Sequence, residues 1–210
     1  MKRILFILAA PLLFTPAVCA EKVTAGIKTG MNITGFIGSD SGAGDGAKMQ
    51  KTGLVAGGYV IFPFIKQFKL QVECLISEKG AIYKYEDSDT VYEQIMKLTY
   101  LEIPVLARFD LESRGGVKPA VLFGPSFGIK IGAKGEERTI GVSSKGNIDN
   151  MNTLDPGLLL GGVLDIETGK GIVSLEARYT MGLLPIFESV GGNIADIKNS
   201  AVAVILGYRF

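Results

Sequence analysis

The sequence predicts an all-β fold: an eight-stranded antiparallel up-and-down transmembrane β-barrel with long extracellular loops and short periplasmic turns. Three observations predict it. Eight segments alternate, or nearly alternate, between apolar and polar residues, as strands with two unlike faces do. The connections between them alternate long and short, which sorts four long loops to one end and three short turns to the other. Beyond residue 20, every apolar run is short and broken by glycine, proline or charge. If such a chain crosses a membrane, it does so as a closed barrel.

The first segment, Val23 to Thr34, sets Val23, Ala25, Ile27, Met31 and Ile33 against Lys28, Gly30 and Asn32. The second, Gly53 to Phe62, is mixed, with Leu54, Val60 and Phe62 read as outward. The third alternates cleanly: Phe68, Leu70, Val72, Cys74 and Ile76 oppose Lys69, Gln71, Glu73 and Ser77. In the fourth, Lys97 to Phe109, Leu101, Ile103, Val105, Ala107 and Phe109 oppose Tyr100, Glu102 and Arg108. The fifth, Lys118 to Ile131, sets Val121, Phe123, Phe127, Ile129 and Ile131 against Gly124, Ser126, Gly128 and Lys130. The sixth, Leu154 to Ile166, has the least defined faces of the eight. The seventh sets Val173, Leu175, Ala177, Tyr179 and Met181 against Ser174, Glu176, Arg178 and Thr180. The eighth ends the chain, with Val202, Val204, Leu206, Tyr208 and Phe210 facing lipid and Ala201, Ala203, Gly207 and Arg209 facing inward.

The long connections are Gly35 to Lys51, Lys79 to Met96, Gly132 to Thr153 and Pro185 to Lys198. The short ones are Pro63 to Gln67, Asp110 to Val117 and Glu167 to Gly171. A Greek-key sandwich does not sort its loops this regularly. Two prolines, Pro104 and Pro125, fall inside strands. Proline cannot donate to a ladder and a closed barrel has no edge to hide it on, so a bulge is expected at each. Tryptophan, a common membrane-interface anchor, is absent. Tyr59, Phe62, Phe64, Tyr100, Phe109, Phe187, Tyr208 and Phe210 are expected to form the aromatic girdle instead.

Met1 to Ala20 reads as a secretory signal: Lys2 and Arg3, an apolar run from Ile4 to Phe14, and small residues around Ala20. Lipidation at Cys19 is the weaker alternative, because Val18 suits a lipidated cysteine poorly. The expected division is a signal peptide over 1–20 and a barrel domain over 21–210. Removing Lys2 and Arg3 leaves 20 basic against 21 acidic residues. That balance gives no basic face for nucleic acid. Glycine, at 28 of 210 residues, is in excess for a strand protein and fits tight turns and a crowded interior. Cys74 is the one cysteine beyond the signal and falls on the lipid face, where it reads as a small apolar residue.

Histidine is absent, which removes a Ser-His-Asp triad, a Cys-His pair, His-ligated metal and the usual general base at neutral pH. No catalytic residue, cofactor or metal is expected. Lys69, Glu73, Glu102, Arg108, Lys130, Glu176, Arg178 and Arg209 all point inward on the register above. A catalytic carboxylate pair among them weighs less than a charge network filling the lumen. Eight strands enclose an interior just wide enough for side chains, and charges held there need partners. The run Gly42 to Gly46 lacks the Lys-Ser or Lys-Thr of a phosphate loop. Asp40, Asp45, Glu86, Asp87 and Asp89 lie in loops with no EF-hand spacing, so calcium binding there is left open.

Several motifs together resemble the PorT-like family of small outer-membrane β-barrel proteins. These are Gly26-Ile27-Lys28-Thr29-Gly30-Met31-Asn32, the run Leu70 to Gly80, Tyr100-Leu101-Glu102-Ile103-Pro104-Val105-Leu106-Ala107, Phe123-Gly124-Pro125, Ala177-Arg178-Tyr179 and Leu206-Gly207-Tyr208-Arg209-Phe210. They keep the family's order and cover nearly all of the chain after the signal. The resemblance implies an eight-stranded barrel in the outer membrane, and accommodates both prolines. It implies no single activity, although the member that gives the family its name belongs to a protein-secretion system. The ending at Tyr208 and Phe210 also resembles the C-terminal signal that such barrels show to the barrel-assembly machinery. The expectation is therefore an outer-membrane protein with a structural or interaction role. Its expected partners are outer-membrane lipid and lipopolysaccharide, the assembly machinery, and an envelope protein reached through the long loops. A lipocalin-like barrel for hydrophobic ligands is the alternative, and inward Glu and Arg count against it.

Overall fold

The computed structural model describes residues 22–41, 47–87, 90–113, 115–139, 142–148, 151–187 and 195–210. The expected signal segment, the glycine run 42–46 and the loop residues Asp45 and Asp89 lie outside the described residues. Among the described residues there are nine antiparallel strands: β1 Thr24–Ile37, β2 Ala47–Ile65, β3 Phe68–Asp87, β4 Thr90–Asp110, β5 Val117–Thr139, β6 Val142–Asn147, β7 Leu154–Thr168, β8 Gly171–Gly182 and β9 Lys198–Arg209. Eight of them pair in sequence and close, β9 returning to β1 with Gly26 opposite Arg209 and Ile37 opposite Lys198. β6 pairs with β5 above the point where β7 leaves it. Carrying the registers once around the barrel takes Gly26 to Phe36 of the same strand, a stagger of ten residues. A stagger of this order tilts the strands to about 35–45° and leaves an interior that side chains fill.

Alternation sets the two faces. On β9, Ala201, Ala203, Ile205 and Arg209 are buried, while Val202, Val204 and Leu206 are exposed, as is Phe210 just after it. β1 and β8 divide as their sequences predict, with Lys28 and Asn32 in and Ile27 and Met31 out, and with Glu176 and Arg178 in and Leu175 and Tyr179 out. The outer surface is an apolar band: Leu54 is 61% exposed, Leu206 59% and Phe123 54%. Such a surface is tolerable only in lipid. β7 resolves the segment that had no clear orientation: Asp155, Leu159, Val163 and Asp165 are buried and Leu158, Leu160 and Leu164 exposed.

The strands depart from expectation in three places. First, Lys79 to Met96 is not a loop. β3 and β4 stay paired through it to Asp87 opposite Thr90. The tyrosines, isoleucines and Met96 in this stretch favour a pleated ribbon despite its charges. β5 likewise continues to Thr139 and turns back as β6. Second, the ladder carries no bulge at Pro104 or Pro125. The register is the same on both sides of each, with the nearest rungs simply missing. The shifts occur instead between Thr99 and Tyr100, between Gln50 and Val55, and between Pro63 and Ile65. One absent N–H costs a rung, whereas a bulge would swap every side chain beyond it between lumen and lipid. Third, Tyr59 and Tyr100 leave the girdle and point into the lumen, 6% and 1% exposed. Each ring lies beneath a lysine ammonium, 4.8 Å from Lys28 and 5.2 Å from Lys79.

β2 to β6 therefore rise past the short strands β1, β7, β8 and β9 as a one-sided extracellular wall. Glu136 stands in its outer face. It bonds Lys97 at 2.8 Å and Arg138 at 2.7 Å, with Lys145 at 3.9 Å. These cations cover its carboxyl and hold it far below the ordinary range, at about 2.

Candidate functional site

The lumen is built in three layers. At its centre, Lys28 of β1 reaches Glu73 of β3 at 2.7 Å and Glu176 of β8 at 2.6 Å. Arg178 closes the square, bonding Glu73 at 2.8 Å and Glu176 at 3.3 Å. All four side chains are nearly water-free, and buried charges are tolerable only when each is matched and its lone pairs occupied. Beside this square, Lys79 bonds Glu102 at 2.5 Å and Asp155 at 3.2 Å. Asn199 donates to Tyr100 Oη at 3.1 Å and to Asp155 Oδ2 at 2.9 Å.

Toward the short-turn end, Arg108 donates to Asp110 at 2.7 Å and to Asp165 at 2.8 Å, and Arg209 donates to the same Asp165 oxygen at 2.7 Å. Lys69 reaches Asp110 at 3.0 Å. Gln71 joins this layer to the centre, donating to Glu73 at 2.5 Å and accepting from Arg108 at 3.4 Å. Toward the long-loop end the lumen is apolar. Phe36, Ala81, Leu98, Tyr100, Met151 and Ile186 pack into one buried cluster across its mouth. Two smaller apolar groups line the wall below it: Leu106, Ala120, Leu122, Leu159 and Val163, then Val55, Leu75, Ala203 and Ile205.

Seven of the eight residues expected in the lumen network bond an opposite charge there. The eighth, Lys130, lies near the apolar end and donates to the Met151 carbonyl oxygen at 2.6 Å. Reading the sequence missed Lys79, assigned to a loop, and Asp155 and Asp165, whose strand showed no preferred face. It read Lys28 as inward but left it out of the network. Two signals were available. Lys79 continues the odd-numbered inward series of Glu73 and Ser77, and Asp155 and Asp165 share one parity, hence one face. Tyr208 and Phe210 stack edge-on with centroids 5.5 Å apart on the outer surface. The Phe210 amide donates to the Ala25 carbonyl at 3.0 Å, binding the end of β9 to the start of β1.

Chemically, this arrangement pairs both carboxylates of the central square with cations. Glu73 accepts from Lys28, Arg178 and Gln71, which leaves it a poor base. Among the described residues, no group of acidic or cysteine side chains is placed to hold a metal ion.

The profile of the family described as "Outer membrane protein beta-barrel domain" matches residues 16–188. The chain belongs to that family. This outer-membrane barrel is also similar to solved structures, each at low sequence identity. Neisserial surface protein A is 13% identical over 90% of this chain and 100% of its own, with a TM-score of 0.47. Ail, the attachment invasion locus protein of Yersinia pestis, was solved in complex with the heparin analogue sucrose octasulfate. It is 16% identical over 90% and 100%, with a TM-score of 0.42. OprG of Pseudomonas aeruginosa is 8% identical over 90% and 94%, with a TM-score of 0.40. No curated protein matches the sequence significantly.

Proposed function

We propose that this outer-membrane barrel is a non-catalytic structural and interaction protein of the cell envelope, of the PorT-like kind. The observation that carries the reading is the obstructed lumen: a paired charge network at its centre beneath an apolar cluster across its extracellular mouth. A filled interior supplies rigidity, not passage. Contacts are then made by the outside of the molecule, above all by the wall of β2 to β6. Its partner is an envelope protein, and a place in a secretion assembly is one form this takes. The outward lysines Lys97, Lys134 and Lys145 stand above the apolar band, where they suit lipopolysaccharide phosphates. The half-buried Tyr208 and exposed Phe210 serve recognition by the barrel-assembly machinery. A lipocalin-like role is opposed by the ionised centre, which offers a hydrophobic ligand no dry cavity. Planar-bilayer recording tests the proposal. Purified protein should give no sustained current, and steady conductance that scales with salt and vanishes on heat denaturation would replace scaffold with transport.

A further inference from the structure

The β2–β3 and β4–β5 turns and the strand ends around them line a cavity of about 550 Å³ at the periplasmic mouth of the lumen. That volume lies in the range of small-molecule sites. The cavity's floor is cationic. Arg108 and Arg209 both donate to one oxygen of Asp165, and Asp110 is shared between Arg108 and Lys69. Three cations thus face two carboxylates, where the Arg108 and Arg209 side chains are only 3% and 10% exposed. Lys22 and Lys66 stand at the rim, and neither forms an ion pair with a described residue. Across the whole lining, six basic side chains meet three acidic ones, and one of the six, Lys118, is paired with Glu167 just beyond it. A guanidinium carries five N–H donors, and Arg209 makes one side-chain hydrogen bond among the described residues.

A nearly buried surplus of positive charge beneath an open cavity is stabilised by an anion entering from the periplasm. The guanidinium fork suits the paired oxygens of a phosphate or carboxylate. We propose that the periplasmic mouth binds a small multivalent oxyanion, a molecule carrying clustered phosphate or carboxylate groups. Arg108 and Arg209 hold one end at the floor, and Lys22 and Lys66 neutralise the other at the rim. This site is independent of whether the lumen above conducts.

The test is calorimetric titration of the folded protein in zwitterionic nanodiscs. Pyrophosphate and citrate serve as probes of the two oxyanion sources, and an aspartate-rich hexapeptide as the competing class. Saturable one-to-one binding of either small anion, weakening as sodium chloride is added, is expected. The double variant Lys22→Gln/Lys66→Gln, altered only at the exposed rim, should bind about tenfold more weakly. Arg209→Lys keeps the charge but loses the fork and should weaken binding similarly; an altered heat-mobility shift in gels would flag misfolding of this buried variant. No saturable binding at millimolar anion, or affinity unchanged in the rim variant, would overturn the proposal. Tighter binding of the acidic peptide than of either small anion would overturn it in favour of a protein partner.

Discussion

Lys28 on β1 and Glu176 on β8 meet at 2.6 Å across a strand that separates them, because β9 lies hydrogen-bonded between β1 and β8. The same ammonium reaches Glu73 on β3, across β2. One side chain therefore ties three strands that share no backbone ladder. The barrel is held by its ladder and, independently, by ionic ties through its interior.

Replacing that ammonium with an apolar group of similar shape should be severe. Lys28→Met leaves Glu73 and Glu176 with Arg178 as their common cation, and removing one partner of a buried pair costs about 3–5 kcal/mol. Urea unfolding in lipid vesicles should report this loss. In Lys28→Met/Glu176→Gln the charge balance returns, so the double variant should be clearly more stable than the two single losses added together.

The lipid face makes a separate prediction. Leu175 and Leu206 are exposed on the band and should tolerate apolar exchange, whereas arginine at either should cost about 2–4 kcal/mol near the midplane. Ser174, one residue away but facing the lumen, should accept a polar exchange such as Ser174→Asn at smaller cost. Folding titrations that rank these substitutions in the opposite order would invert the assignment of faces.

Gly80 is a position where backbone conformation dictates the residue. Its φ is +141°, and an added Cβ would fall 1.9 Å from the Met96 carbonyl oxygen. Gly80→Ala should destabilise the β3–β4 ribbon by roughly 1–3 kcal/mol. The loss should appear as faster amide exchange from Gly80 to Asp87 with little change lower in the barrel.

The wall should respond to acid. Glu136 has its carboxyl depressed from an ordinary 4.5 to about 2 by bonds to Lys97 and Arg138. A lowered folded-state value means the contribution is complete above about pH 4.5 and is lost as pH falls toward 2. Hydrogen exchange of β6 amides should accelerate across that window. The same amides should keep their protection at neutral pH in Glu136→Gln less well than in the parent.

Most of the barrel was legible because side-chain polarity has the period of the strand. Where only one face is apolar, as in β1, β3, β8 and β9, the alternation fixes both element and orientation. It failed on β7, where Leu158, Leu159 and Leu160 run consecutively: a lumen with its own apolar clusters accepts leucine on either face. It also failed at strand ends. The wall lies above the membrane, so its residues carry the mixed polarity of loops while keeping the pairing of strands. Tyr59 shows a third limit. Aromatic residues near segment ends suit a girdle, but this one lies beneath an ammonium that only its pairing with β1 brings to it. The partners of each inward charge were illegible for the same reason, since Glu73 and Arg178 are 105 residues apart in sequence.

Because the β3–β4 ribbon of the wall is an unbroken continuation of its ladder, its height is not free to vary residue by residue. A single inserted residue in the upper reach of β3 or β4 would exchange the inward Ala81 and Met96 for their outward neighbours and open the apolar cluster over the lumen. Insertions of matched pairs, one on each arm of the hairpin and even in number, leave every side chain on its own face. Length variation among relatives of this chain should therefore come in even, mirrored steps within the β3–β4 ribbon, and in any number where the backbone leaves the sheet.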